Sequence, residues 1–256
     1  MKTEEILRKI RIITGGLKII KKEDIDEAVI EFCKEVIKEP LLHFSESDLH
    51  VLLIEKLYEK IPLLKKKKYD TDVKRGKNSK TYYKTRLVHR EYGGGEKTRI
   101  DVIIFDEQDV KKINNPNLQS NNDYLEPCYA FELGTEKIGE KVTAGHVESD
   151  LNKLTKKTKE CGYLIHIFRD NTRSALNTQT SEKTEQKLEK FKSIFSGEKI
   201  INQKKVKVIA ILLRPFKKEQ KTWGKCMMFD KNDLKWKRIG VENDLNIENH
   251  LKSQLQ

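Results

Sequence analysis

Apolar residues recur along this chain with two periods, and the switch between them outlines its elements. Ile6, Ile10 and Ile13 repeat at the spacing of one helical face. After Gly15-Gly16 the same spacing returns in Ile25, Val29, Phe32 and Val36. Pro40 closes that run, so residues 1–40 predict two helices that serve packing or dimerisation. A third helix is expected from residue 45 to about 61. Ser45-Glu46-Ser47-Asp48 is close to a capping box, and Leu49, Leu52, Leu53, Ile54, Leu57 and Ile61 follow it. The period then shortens. Residues 86–92 alternate, Gly93-Gly94-Gly95 turns the chain, and residues 97–105 return as the second strand of a hairpin.

The Asn-rich stretch 106–126 reads as a surface insertion, 126–133 as a strand, 134–145 as a loop, and 146–160 as a helix with Val147, Leu151 and Leu154 on one face. The continuous apolar run 163–168 predicts a strand covered on both faces, with His166 as a core histidine. A helix over 181–195, a central strand over 206–213 and a terminal hairpin over 223–229 and 234–239 complete the pattern. Helices, three strands, helix, strand, helix and strand predict an α/β sandwich around a mixed sheet. Residues 1–44 are expected as an N-terminal helical extension and 45–256 as the core, with the hairpin at its C-terminal end.

Composition adds a partner to this picture. The 256 residues carry 52 Lys and Arg against 40 Asp and Glu, a net charge of +12. A chain this basic is expected to meet a polyanion, with nucleic acid first; a lysine-rich host composition is the plain alternative. Lys65-Lys66-Lys67-Lys68 and then Lys74, Arg75, Lys77 and Lys80, interleaved with Tyr69, Tyr82 and Tyr83, read equally as a loop that tracks a phosphate backbone and as a solvated surface loop. Cys33, Cys128, Cys161 and Cys226 show no C-x-x-C spacing, which argues against structural zinc and for ordinary thiols. The start is charged and no apolar run approaches membrane-span length, so a cytoplasmic location away from membranes is expected.

Candidate chemistry lies between residues 98 and 136. Arg99-Ile100-Asp101-Val102-Ile103-Ile104-Phe105 and Tyr129-Ala130-Phe131-Glu132-Leu133-Gly134 are strand-like runs that each carry one acid. Strand interiors disfavour Asp, and an unpaired buried carboxylate costs roughly several kcal/mol. Asp101 and Glu132 brought to one sheet edge would hold a hard divalent cation. The plain alternatives are surface ion pairs with Arg99 and Lys137, and for Glu46 a carboxylate favouring a helix N-terminus. Glu91, before the triple glycine, could reach the same edge as Asp101, but reads first as an exposed charge.

In their order and in the elements that carry them, these residues resemble the PD-(D/E)XK nuclease superfamily, the restriction-endonuclease-like fold. The resemblance runs from about residue 45 to 168. It assigns the helix glutamate to Glu46, the strand aspartate to Asp101, and the first half of E-x-K to Glu132. The polar inner face of the next helix falls to Asp150 and Lys153. It implies a metal-dependent endonuclease of restriction, repair or phage-defence type that hydrolyses DNA phosphodiesters. Mg²⁺, with Mn²⁺ as substitute, would be held by Glu46, Asp101, Glu132 and the carbonyl of Leu133. It also admits a catalytically silent nucleic-acid-binding or scaffolding member, an RNA-directed nuclease, and a homodimer. The departure is Gly134, where the family has lysine; Lys137 and Lys153 are the two candidates to replace it.

Overall fold

The computed structural model describes residues 20–39, 45–65, 69–75, 79–93, 99–111, 125–136, 144–169, 182–195, 205–215, 222–230 and 235–238. Among the described residues three helices come first: α1 (Lys22–Lys38), α2 (Glu46–Lys60) and the single turn α3 (Pro62–Lys65). Strands β1 (Tyr69–Arg75) and β2 (Ser79–Thr85) form a separate two-stranded antiparallel ribbon. Next come β3 (Val88–Tyr92), β4 (Ile100–Ile104), α4 (Glu107–Lys111), β5 (Tyr129–Glu136), α5 (Ala144–Lys157) and β6 (Cys161–Arg169). The chain continues through α6 (Glu182–Ile194), β7 (Val206–Pro215), β8 (Thr222–Asp230) and β9 (Lys235–Arg238).

Seven strands make one mixed sheet in the order β3-β4-β5-β6-β7-β8-β9. Only β5–β6 and β6–β7 are parallel; the outer pairs are antiparallel. Each parallel step requires a crossover, and α5 and α6 supply them. Both crossover helices cover the same face. Glu132 and Gly134 stand on β5 beside Leu164 and His166 on β6. Lys153 of α5 meets Glu132, and Phe191 of α6 stacks on His166 at 4.6 Å. The opposite face carries the stacked pair Phe131 and Tyr163, 4.9 Å apart, and Tyr163 donates to Asp26 of α1. Strand β6, the middle of the sheet, is buried at all nine residues, which is why its sequence is continuously apolar.

Where sequence and structure part, the reasons are local. Helix α1, expected to serve packing or dimerisation, buries Ile25, Val29, Phe32, Val36 and Ile37 in the same core as the sheet, while the first expected helix, with Ile6, Ile10 and Ile13, lies outside the described residues. The basic segment read as a loop is instead the β1–β2 ribbon, in register Lys74↔Lys80 and Arg75↔Ser79. β-branched and aromatic residues at alternate positions support strands there, and the lysines between them masked the alternation. Within the 106–126 stretch a short helix forms at α4: Asp106 Oδ1 accepts the N–H of Gln108 at 2.7 Å, and Lys159 pairs with Asp109 at 2.6 Å. Strand β5 runs three residues beyond Leu133, so Gly134 is a strand residue and not a loop residue. Among the described residues, no helix is long and apolar enough to cross a membrane.

Candidate functional site

Three local devices bring the site together. The first is the start of α2. Ser45 Oγ accepts the N–H of Asp48 at 3.1 Å, and Asp48 Oδ2 accepts the N–H of Ser45 at 2.9 Å, a complete capping box. It fixes the helix so that Glu46 lies in its first turn and His50 one turn later on the same side. The second is a divergence of strands. Beyond the pair Val102↔Phe131, β4 and β5 leave their ladder, and Asp101 Oδ2 accepts the N–H of Leu133 at 2.7 Å. A side-chain carboxylate thus takes the place of a backbone acceptor and is anchored where the sheet opens. The third is α5, whose His146, Asp150 and Lys153 fall on one helical face.

These devices meet in a cleft of about 390 Å³ lined by Glu46, Ser47, His50, Glu91, Arg99, Asp101, Glu132, Leu133, His146, Asp150 and Lys153. Of the residues singled out from sequence, Glu46, Asp101, Glu132, Leu133, Asp150 and Lys153 are therefore in one place. Lys74, Arg75 and Lys80 lie in the β1–β2 ribbon. Lys77 and Lys137 lie outside the described residues.

Negative charge dominates the cleft. The half-buried Lys153 ammonium reaches Glu132 Oε1 at 2.7 Å, Asp150 Oδ1 at 2.8 Å and the carbonyl of Arg99 at 3.0 Å. An ammonium has three donors, and three oxygens surround this one. Burial alone would lower the Lys153 pKa, but its contacts with Asp150 and Glu132 outweigh that and raise it. Lys153 is therefore a fixed cation. Glu132 answers differently. Its side chain is 6% exposed, and although Lys153 is close, Glu132 Oε1 accepts no hydrogen bond of good geometry. Burial first, then repulsion from Asp101 and Asp150, push its pKa up to about 9 against the pull of Lys153. Glu46, at the rim, is also raised, by partial burial and then by Asp101, with His50 and His146 opposing. At the mouth Arg99 pairs with Glu91 at 3.4 Å rather than with Asp101. Glu91 sits at φ 49°, a left-handed conformation that costs a non-glycine residue roughly 1–2 kcal/mol.

Glu46, His50 and Asp101 could hold a metal ion: one ligand atom from each lies within 4.8 Å of the others. The chemistry of the site fits a cation. Acids outnumber the interior lysine, and His50 Nε2 is buried without a hydrogen-bond partner, 3.7 Å from Asp101 Oδ2. Arg90 Nη2 lies 3.4 Å from His50 Nδ1. A guanidinium only donates, so this contact makes Nδ1 the acceptor and leaves the proton on Nε2. Ligation through Nε2 would require that proton to move. Glu46 and Asp101 are ready as oxygen ligands without such a change.

Comparison with known proteins gave no match.

No family model, curated protein or solved structure resembles the chain closely enough to be assigned. The site therefore has to be read from its own geometry. At Gly134 that geometry is explicit. A Cβ added there would lie 2.7 Å from His166 Cε1 and 2.9 Å from both ring nitrogens. The ring cannot readily yield, because it is buried and stacked on Phe191. Position 134 has no room for any side chain, and the lysine beside Glu132 comes from α5 instead.

His50 and Arg90 were not singled out from sequence. The available signal was the Glu46–His50 spacing of four in a helix already suspected of facing the site. It was hidden because a lone histidine among leucines reads as core. Arg90 gave no signal, since its contact with His50 spans forty positions.

Proposed function

We propose that the cleft hydrolyses phosphodiester bonds of DNA with the help of a divalent cation, Mg²⁺ or in its place Mn²⁺, on a restriction-endonuclease-like sandwich. The observation that carries this reading is the convergence of Glu46, Asp101, Glu132 and Lys153, from two helices and two strands, on one cleft. The α/β architecture supports it: a mixed sheet whose acid-bearing strands are followed by a crossover helix that returns a lysine to them.

Glu46 and Asp101 would hold the cation, with Glu132 beside them. When bound, such an ion lowers the pKa of its water and neutralises charge developing on the phosphate. The Asp101 carboxylate is kept in place by the Leu133 N–H, so its orientation needs no rearrangement. Lys153, cationic and fixed, is suited to stabilising phosphate oxygens and not to removing a proton. Asp150 holds it from below in the same helix. The net charge of +12 supplies attraction for a polyanion around a cleft that is itself acidic.

A second reading, a silent nucleic-acid-binding member, has one observation on its side. Lys153 is already engaged within the protein, by the carboxylates of Glu132 and Asp150 and by the carbonyl of Arg99. Incubation of the purified chain with plasmid DNA, or separately with RNA, in Mg²⁺ or Mn²⁺ tests both. Cleavage of DNA that is abolished in Asp101→Asn supports the nuclease. Binding without cleavage of either polymer selects the silent reading, and cleavage of RNA alone moves the substrate class.

A further inference from the structure

Beside the carboxylate cleft lies a second hollow, of about 170 Å³, with a different lining: Tyr92, Ile100, Leu125, Glu126, Lys156 and Lys157. Its walls continue those of the cleft residue by residue. Glu91 lines the cleft and Tyr92 the hollow; Arg99 lines the cleft and Ile100 the hollow. On α5, Lys153 faces the cleft, and Lys156 and Lys157 face the hollow. The two concavities are thus neighbours along one edge of the sheet, and Lys157 is one helical turn, about 6 Å, beyond Lys153.

The character changes over that step. The cleft is acidic, as a cation site should be. The hollow joins two lysines to an aromatic and aliphatic wall. The Tyr92 ring is set in place by an edge contact with Phe105 at 5.1 Å and by donation of its hydroxyl to the carbonyl of Leu125 at 3.3 Å. Lys156 is exposed and Lys157 half-buried. Lys157 is held below the usual lysine range by burial and then by the nearby Lys153. An anion arriving there would relieve that like-charge contact.

Resting on the phosphodiesterase reading of the cleft, we infer that this hollow is a nucleotide subsite. It takes the residue adjoining the scissile phosphate, with that nucleotide's phosphate against Lys156 and Lys157 and its base against Tyr92, Ile100 and Leu125. One turn of α5 then spans consecutive phosphates of a single strand. Glu126, the acid of the hollow, disfavours a further phosphate and can accept from a base amino group, which places the base in the pocket.

The test compares the wild-type chain, the pair Lys156→Ala/Lys157→Ala, and a control pair of equal charge loss on α1, Lys34→Ala/Lys38→Ala. Binding of a short fluorescein-labelled single-stranded oligodeoxynucleotide is followed by anisotropy in Ca²⁺ over a series of salt concentrations. Cleavage is followed in Mn²⁺, and Mn²⁺ affinity by calorimetry. The subsite predicts about ten-fold weaker binding in the Lys156/Lys157 pair and a salt slope smaller by about one to two. It also predicts a raised KM with kcat nearly unchanged, unaltered Mn²⁺ affinity, and a control pair close to wild type. Tyr92→Leu in the wild-type background should weaken binding without changing the salt slope. If wild type cleaves and the Lys156/Lys157 pair matches either wild type or the control, the subsite is wrong and the cleft reading stands. If wild type neither binds nor cleaves the oligonucleotide while still binding Mn²⁺, the phosphodiesterase reading fails and the subsite fails with it.

Discussion

Two clusters of charge lie on opposite faces of the sheet, and they are built on opposite rules. Against α1, Asp26 accepts from Tyr163 at 2.8 Å and from Lys207 at 2.6 Å through both oxygens. One carboxylate meets a cation and a hydroxyl, and the Lys207 ammonium also lies 5.9 Å from the Tyr163 ring centroid. Under α5, Glu132 and Asp150 share one lysine with Asp101 close by, and buried atoms of Glu132 and His50 lack hydrogen bonds. The first cluster is balanced by its own partners and ties a helix to the sheet. The second is short of positive charge by itself. A fold gains nothing from such an imbalance, which makes the second cluster the place to look for a bound cation.

The sharpest way to break this contrast is to remove one member from each face. Asp101→Asn or Lys153→Ala should reduce cleavage by about 10²–10³-fold or more while the protein stays folded, as judged by circular dichroism. Asp26→Asn should leave cleavage intact. A result in which Asp26→Asn abolishes cleavage as fully as Asp101→Asn would erase the distinction.

Acid–base linkage gives the next largest effect. Glu132 has a folded pKa of about 9 against an ordinary value of 4.5, so between those limits the folded state holds a proton that the unfolded state has lost. Metal-free stability should therefore fall as pH rises from about 4.5 towards 9, by at most about 1.4 kcal/mol per unit from this group. Glu132→Gln should flatten that decline in urea titrations while abolishing cleavage. Added Mn²⁺ should flatten it in the wild type. A wild-type profile that stays flat over this range would show that Lys153 holds Glu132 ionised.

Smaller effects follow from packing. Gly134→Ala should destabilise by about 1–3 kcal/mol, because the new methyl meets the His166 ring, and Gly134→Lys should not rescue Lys153→Ala. Thermal denaturation and a cleavage assay decide both. Asp26→Asn, whose partners are partly exposed, should cost only about 1–2 kcal/mol.

Much of the fold was legible because its signals are local. The capping box before α2 is four residues long, the stripe of α1 repeats within one helix, and the continuous apolar run of β6 reports burial on both faces directly. Acids in apolar strands at 101 and 132 marked two members of the cleft for the same reason: each is anomalous in its own neighbourhood. The β1–β2 ribbon was not legible, since its charged and strand-favouring residues are interleaved in a pattern that solvation and pairing explain equally well.

Sequence by itself determined α1, α2 and the elements of the main sheet with its crossover helices, the excess of positive charge, and the two acids that such strands would not otherwise carry. Tertiary structure alone decided which groups surround those acids. It placed His50 beside Asp101 across fifty-one positions and brought Lys153 to Glu132 from the crossover helix. It also stood His166 over Gly134 through the parallel register of β5 and β6. Local propensity depends on residues a few positions apart, whereas a shortage of positive charge, or of room for a side chain, depends on which distant residues the sheet brings within a few ångströms.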